Sequence, residues 1–141
     1  MEEAAAQSVA QTVGSLYRDV HAKMREQVRG MDHGTLNWSP LPKANSIAVL
    51  VTHTLGSERE MIRALRQVAS ERDRESEFKV EAEAADLLAL LDQADRDLDE
   101  HMGALTSADL TELRPRGDRP ARPGIEWLLR TTGMRANISP R

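Results

Sequence analysis

The chain has 141 residues, a formal net charge of −4 from 19 basic and 23 acidic side chains, and no cysteine. Its length argues for one domain over residues 1–141, and the lack of cysteine excludes disulfides, thiolate metal centres and a cysteine nucleophile. Mild acidity gives no global argument for binding nucleic acid, and no apolar run approaches the ~18 residues of a membrane span. Glu2 and Glu3 oppose in sign the basic start of a signal peptide. A soluble, cytoplasmic protein with no membrane or nucleic-acid partner is therefore expected.

A first helix is expected from Glu2 to Arg29. Val9, Val13, Leu16, Val20, Met24 and Met31 recur in steps suited to one stripe of a 3.6-residue helix, with Tyr17 and Val28 beside them. Gly30 supplies a stop. A loop from Met31 to Ala44 follows, broken by His33-Gly34, Pro40 and Pro42, and its Trp38 is expected to plug the end of the core. A second helix should start at Asn45 or Ser46, both good N-caps, and run to about residue 70. Its stripe is Ile47, Leu50, Val51, Leu55, Met61, Ile62, Leu65 and Val68. The mixed-charge run Ser70 to Glu77 reads as a solvated connection.

A third helix from Ala82 to Leu105 carries Ala84, Leu88, Leu91, Leu98, Met102 and Leu105. Thr106 to Leu110 suits one helical turn capped by Thr106, with Asp109 three residues on. Arg114 to Pro123, with three prolines and a glycine, reads as loop. A short fourth helix is expected from Gly124 to Thr132, ended by Gly133. No segment reads as a convincing strand. The expected class is all-α, an up-down bundle of three long helices and a truncated fourth.

Charge is unevenly placed. Glu81 to Glu100 holds eight acids and one arginine, whereas Arg114 to Arg141 holds seven arginines against Asp118 and Glu126. An arginine-rich segment can touch phosphates or anionic lipid; its plainer reading is a soluble loop. The acidic run reads as a solvated helix face.

Glu58 and Asp95 fall inside the apolar stripes of the second and third helices. An unpaired buried carboxylate is costly, so each needs a partner. His53 lies about 12 Å along the second helix from Asn45 at ~1.5 Å per residue, and His21 lies at a similar height on the first. A His-Glu-Asp cluster there could hold a metal or share protons. The competing reading pairs both carboxylates with arginines at the bundle edge, where Arg59, Arg63 and Arg96 are available. His33 and His101 have no partner pattern and are expected at the surface. Met24, Met31, Met61 and Met102 read as core fillers.

Leu36-Asn37-Trp38-Ser39-Pro40, then Asn45 to His53, then Gly56-Ser57-Glu58, resembles the DinB/YfiT-like helical-bundle superfamily, and Gly124 to Arg130 resembles the start of that family's last helix. The resemblance implies a four-helix bundle with a divalent metal held by three histidines, one on the second helix and two on the last. It also implies thiol-dependent transferase, isomerase or hydrolase chemistry, in which the ion keeps an open position for water or a thiol. Only His53 stands at a ligand position here. Thr131-Thr132-Gly133-Met134-Arg135-Ala136-Asn137 replaces the histidine-rich stretch, and no histidine follows His101.

Two functions follow from the resemblance. One is a non-catalytic or degenerate relative with an incomplete metal site and no cofactor. The other is a metal-dependent, thiol-using transferase or isomerase whose site is remade from His53, Glu58 and Asp95 around Zn²⁺ or Ni²⁺, with a small-molecule thiol as partner. A third reading is an adaptor whose arginine-rich tail meets an anionic partner. Finally, a fourth helix much shorter than the other three would leave an apolar groove. Such a groove is most simply covered by a second copy, so a homodimer is expected, with Trp127, Leu128 and Leu129 near its interface.

Overall fold

A computed structural model describes residues 1–136, with side chains through Thr131. Its elements are α1 (Glu3–Arg29), α2 (His33–Asn37), α3 (Ile47–Leu65), α4 (Arg74–Glu77), α5 (Ala84–Gly103), α6 (Ser107–Thr111), β1 (Leu113–Arg116), β2 (Arg119–Pro123) and α7 (Gly124–Ala136). The four longest helices form the expected bundle. Local chemistry sets their starts. Ser46 caps α3 by accepting from the Val49 amide at 3.1 Å. Thr106 and Asp109 exchange the reciprocal bonds of a capping box at α6.

Bundle direction departs from simple alternation. Ion pairs Arg18–Asp99 and Arg25–Asp92 run α1 antiparallel to α5. Arg59–Asp97 and Arg66–His101 run α3 parallel to α5. The connection between α3 and α5 must therefore return the length of α3. Its course is marked by Arg63 to the Ala69 carbonyl, Arg72 to Glu60, Glu77 to His53, and Ala82 to Asn37. What reads in sequence as a solvated connection thus lies along the outer face of α3, and Glu77 within it is buried.

Two apolar clusters make the core. Ala6, Ala10, Val13 and Tyr17 of α1 pack with Met61, Ile62 and Leu65, Leu98 and Met102, and Trp127 and Leu128. At the other end, Val28 and Leu36 pack with Ala48, Val51, Leu55, Leu87 and Leu91. The buried stripe of α1 is therefore rotated from the one drawn through its largest aliphatics. Tyr17 and His21 face in, while Leu16 is 46% exposed; on α3, Leu50 is 49% exposed.

Other expectations are corrected. Trp38 is 66% exposed and plugs nothing; Leu36, two residues earlier, takes the inward place because α2 turns it onto the core. His101 is buried against Arg66 rather than at the surface. Arg114 to Pro123 is an antiparallel hairpin, not a loop, with Leu113 opposite Pro123, Arg114 opposite Arg122 and Arg116 opposite Arg119. Gly117, at φ +60°, makes the turn. The fourth helix runs on past Gly133, and Trp127 and Leu128 lie in the core of this one chain, whereas Leu129 is exposed. Arg135 and Arg141 of the arginine-rich tail lie outside the described side chains. No helix among the described residues is long and apolar enough to cross a membrane.

The entry to α7 allows no side chain. A Cβ at Gly124 would lie 1.9 Å from the Asp109 carbonyl oxygen, whereas one at Gly103 meets nothing within 4 Å. Gly124→Ala should lower stability by about 1–3 kcal/mol through overpacking against fixed backbone. Gly103→Ala should be neutral or stabilise by up to about 1 kcal/mol. Urea midpoints of the two variants check this, and equal midpoints would refute the close approach.

Candidate functional site

Between the two apolar clusters lies a polar layer. His21, fully buried on α1, meets α3 through Nε2 at 2.9 Å from Glu58 Oε1, and α5 through Nδ1 at 2.7 Å from Asp95 Oδ1. Arg25, one turn on from His21, ion-pairs with Asp95 and reaches Asp92 at 3.0 Å. Burial opposes a charge on His21, but the hydrogen bonds and charges of Glu58 and Asp95 outweigh it and raise the imidazole above its ordinary 6.5. Asp95 is likewise opposed by burial, yet His21 and Arg25 together hold its carboxyl below the ordinary value of 3.8. The two carboxylates lie on opposite ring nitrogens, so they bracket the imidazole and do not converge on a common point.

A second cluster lies on the outer face of α3. His53, Gly56 and Glu60 follow one another at steps of three and four, so they share a face. The returning connection lays Glu77 and Arg72 on that face. His53 Nδ1 is 3.1 Å from Glu77 Oε1 and 3.2 Å from Arg72 Nη2. Arg72 grips Glu77 with two bonds, Nε to Oε2 at 2.9 Å and Nη2 to Oε1 at 2.8 Å, and Glu60 with a third at 2.6 Å. Hydrogen bonding to Glu77 raises the Arg72 guanidinium further, against its burial. Gly56 makes room: a Cβ there would lie 2.1 Å from Glu77 Oε2. The Phe78 ring stands 5.2 Å from His53, tilted.

Of the three residues read as metal candidates, Glu58 and Asp95 are thus brought together, but around His21. His53 lies apart, in the cluster with Glu77. The arginines named as alternative partners hold other groups: Arg59 contacts Asp97 and Glu71, and Arg63 contacts Glu71. Asp95 takes Arg25 instead. Sequence reasoning set His21 at the right height but gave the site to His53, although His21 continues the series Ala6, Ala10, Val13, Tyr17 at helical spacing. It missed Glu77 and Arg72, for which the sequence carries no signal.

His101 accepts at Nδ1 from Arg66 at 2.9 Å. Burial, followed by the charge of Arg66, holds its imidazole below 6.5. His33 is exposed between Glu81 and Glu83, whose carboxylates raise it. A cavity of about 160 Å³ opens between α3 and α5, with Glu58, Glu77 and His101 on its walls.

The three-histidine metal implied by the resemblance can be tested against this donor set. A divalent ion held through His53 Nδ1 would face the Arg72 guanidinium, 3.2 Å from that nitrogen, and like charge repels it. Among the described residues no group of three or more His, Asp or Glu is placed to hold an ion. The residues present do not fit that centre.

Linkage gives the polar layer a pH signature. The contribution of His21 is complete below its unfolded-state 6.5 and is lost as pH rises through its raised folded value; that of Asp95 is present above 3.8 and is lost as pH falls through its lowered one. Stability from this layer should therefore decline on the alkaline side of 6.5 and again in acid. Replacing His21 by Gln should remove the alkaline decline. Urea unfolding from pH 3 to 9 in wild type and His21→Gln checks this, and identical profiles above 6.5 would contradict it.

No curated protein matches the sequence. The family described as the DinB superfamily matches over residues 16–133, well over half of the chain and from α1 to α7. The chain belongs to the DinB superfamily.

Proposed function

We propose that this is a non-catalytic member of the DinB superfamily, in which ion pairs stand where the family's metal chemistry would be. One observation carries the reading. The imidazole of His53 at the ligand position shares Nδ1 with Glu77 and with the guanidinium of Arg72. A fixed cation is thereby supplied by the chain, held by Glu60 and Glu77. The replacement of the histidine-rich stretch by Thr131 to Asn137 supports the same reading.

A second reading, a metal-dependent and thiol-using transferase or isomerase with a remade site, is favoured by buried Glu77 beside His53 on the wall of the cavity between α3 and α5. The metal content of tag-free protein separates the two. The first reading expects no stoichiometric Zn²⁺ or Ni²⁺ after dialysis. Near-stoichiometric metal that is lost in His53→Ala would overturn it and favour the enzyme.

A domain without chemistry acts through its surface, and self-association as a homodimer belongs to this reading. Leu113 and Leu129 support it, exposed at 64% and 53%. Light scattering coupled to size exclusion should give a mass near two chains. A mass of one chain, unchanged on tenfold concentration, would reject the dimer.

A further inference from the structure

The hairpin sets arginine opposite arginine twice, and the two pairs are treated differently. Directly opposed residues of an antiparallel ladder share a face, where like charges repel. Arg114 and Arg122 are each compensated. Arg114 reaches Asp109 and Glu112, both at 3.2 Å, and donates through Nε to the Leu65 carbonyl at the end of α3. Arg122 lies over the Trp127 ring, 5.8 Å from its centroid.

Arg116 and Arg119 have no such relief. Neither has a carboxylate within ion-pair distance among the described residues. Arg116 is half-buried, and its only hydrogen bonds there come from one nitrogen, Nη2, to the Ser57 carbonyl at 3.3 Å and to Ser57 Oγ at 2.9 Å. Among the described residues its Nε–H and Nη1–H groups make none. Burial, then the charge of Arg119, and further Arg72 hold Arg116 below its ordinary value against Glu60 and Tyr17, and Glu60 is already bound to Arg72 at 2.6 Å.

We propose that Arg116, backed by Arg119 and Ser57, is a binding site for a small oxyanion, the carboxylate or phosphate group of a small molecule. A guanidinium edge with unused donors matches two oxygens of such a group at once. Ser57 Oγ accepts from Arg116, so its own proton is available to a third oxygen. An anion there also removes the repulsion between Arg116 and Arg119, so binding and folding are linked. The site adjoins the Arg72–Glu60 pair but takes no contact from His53, and it needs no metal.

Thermal unfolding of the full chain tests this, with inorganic phosphate or acetate titrated against sodium chloride at matched ionic strength. A saturable rise in Tm with at least one of the two anions, beyond the chloride control, is expected; the stronger of the two identifies the preferred oxyanion. Arg116→Gln should weaken the apparent affinity about tenfold or more, the loss of a bidentate charged contact. Ser57→Ala, which leaves the guanidinium in place, should weaken it less. Arg130→Gln, on the exposed side of α7, should leave it unchanged. Circular dichroism of each variant establishes that it is folded. No response to either anion, or an Arg116→Gln response equal to that of wild type, would overturn the proposal.

Discussion

Three helices of this bundle meet at one buried imidazole. His21 contacts Glu58 of α3 with one ring nitrogen and Asp95 of α5 with the other, and Arg25 brings the buried group closer to neutrality. Removing charges from water is expensive, and the return depends on geometry. A ring whose two nitrogens point in fixed, divergent directions gives a strict geometry: α1 can take only a rotation and height that satisfy both carboxylates. The apolar clusters on either side tolerate sliding by a residue far better than this layer does, because hydrophobic contact is non-directional. Register across α1, α3 and α5 therefore rests on the polar layer, and much of the net stability rests on the clusters flanking it.

With α1 antiparallel to both its partners, α3 and α5 are left parallel, and a tight turn between them is impossible. Helix α3, at 19 residues, is about 28 Å long at ~1.5 Å per residue. The connection has to cover that distance while exposed to water, and its charges follow from that. Once it lies along α3, Gly56 decides how close it comes. The missing side chain lets the Glu77 carboxylate sit against the helix, and Arg72 then binds it from outside. Helix α3 consequently presents Glu58 inward, His53 and Glu60 to the connection, and Ser57 to the hairpin.

The parts of this architecture that were legible in the sequence are those with a periodic signal. The four longest helices, their approximate positions and the Ser46 and Thr106 caps follow from apolar spacing and capping chemistry, whereas the short α2 and α4 lie in stretches read as loop and connection. Glu58 and Asp95 stood out because a carboxylate interrupting an apolar stripe needs a reason. Helix phase was less legible on α1, where the inward positions are Ala6, Ala10, Tyr17 and His21 and the neighbouring row of Val and Leu gives a stronger apolar signal. The identity of the group between the carboxylates was hidden for the same reason. Direction of α5 has no local signature; only the length of the link, far beyond the 2–5 residues of a tight helical hairpin, hints at it. The hairpin was obscured by composition: its pairing rests on backbone bonds, while arginine and proline erase the alternation that usually reveals a strand.

The separation of the two histidine clusters bears on how a family fold can outlast its chemistry. In a protein whose bound metal ties helices together, losing ligands also removes folding free energy. Here the ties among α1, α3 and α5 are ionic and lie inside the bundle, at His21, whereas His53 lies on the outer face of α3 against a connection. Under the proposed reading, change around His53 does not touch the contacts that His21 makes with Glu58 and Asp95. The bundle is fixed by contacts at His21 that differ from those at His53, although Glu58 and Glu77 line one cavity between α3 and α5. The outer cluster is then governed by its own electrostatics: a guanidinium among one imidazole and two carboxylates offers fixed charge at no cost in metal supply, and it persists as long as Gly56 keeps Glu77 within reach of both His53 and Arg72.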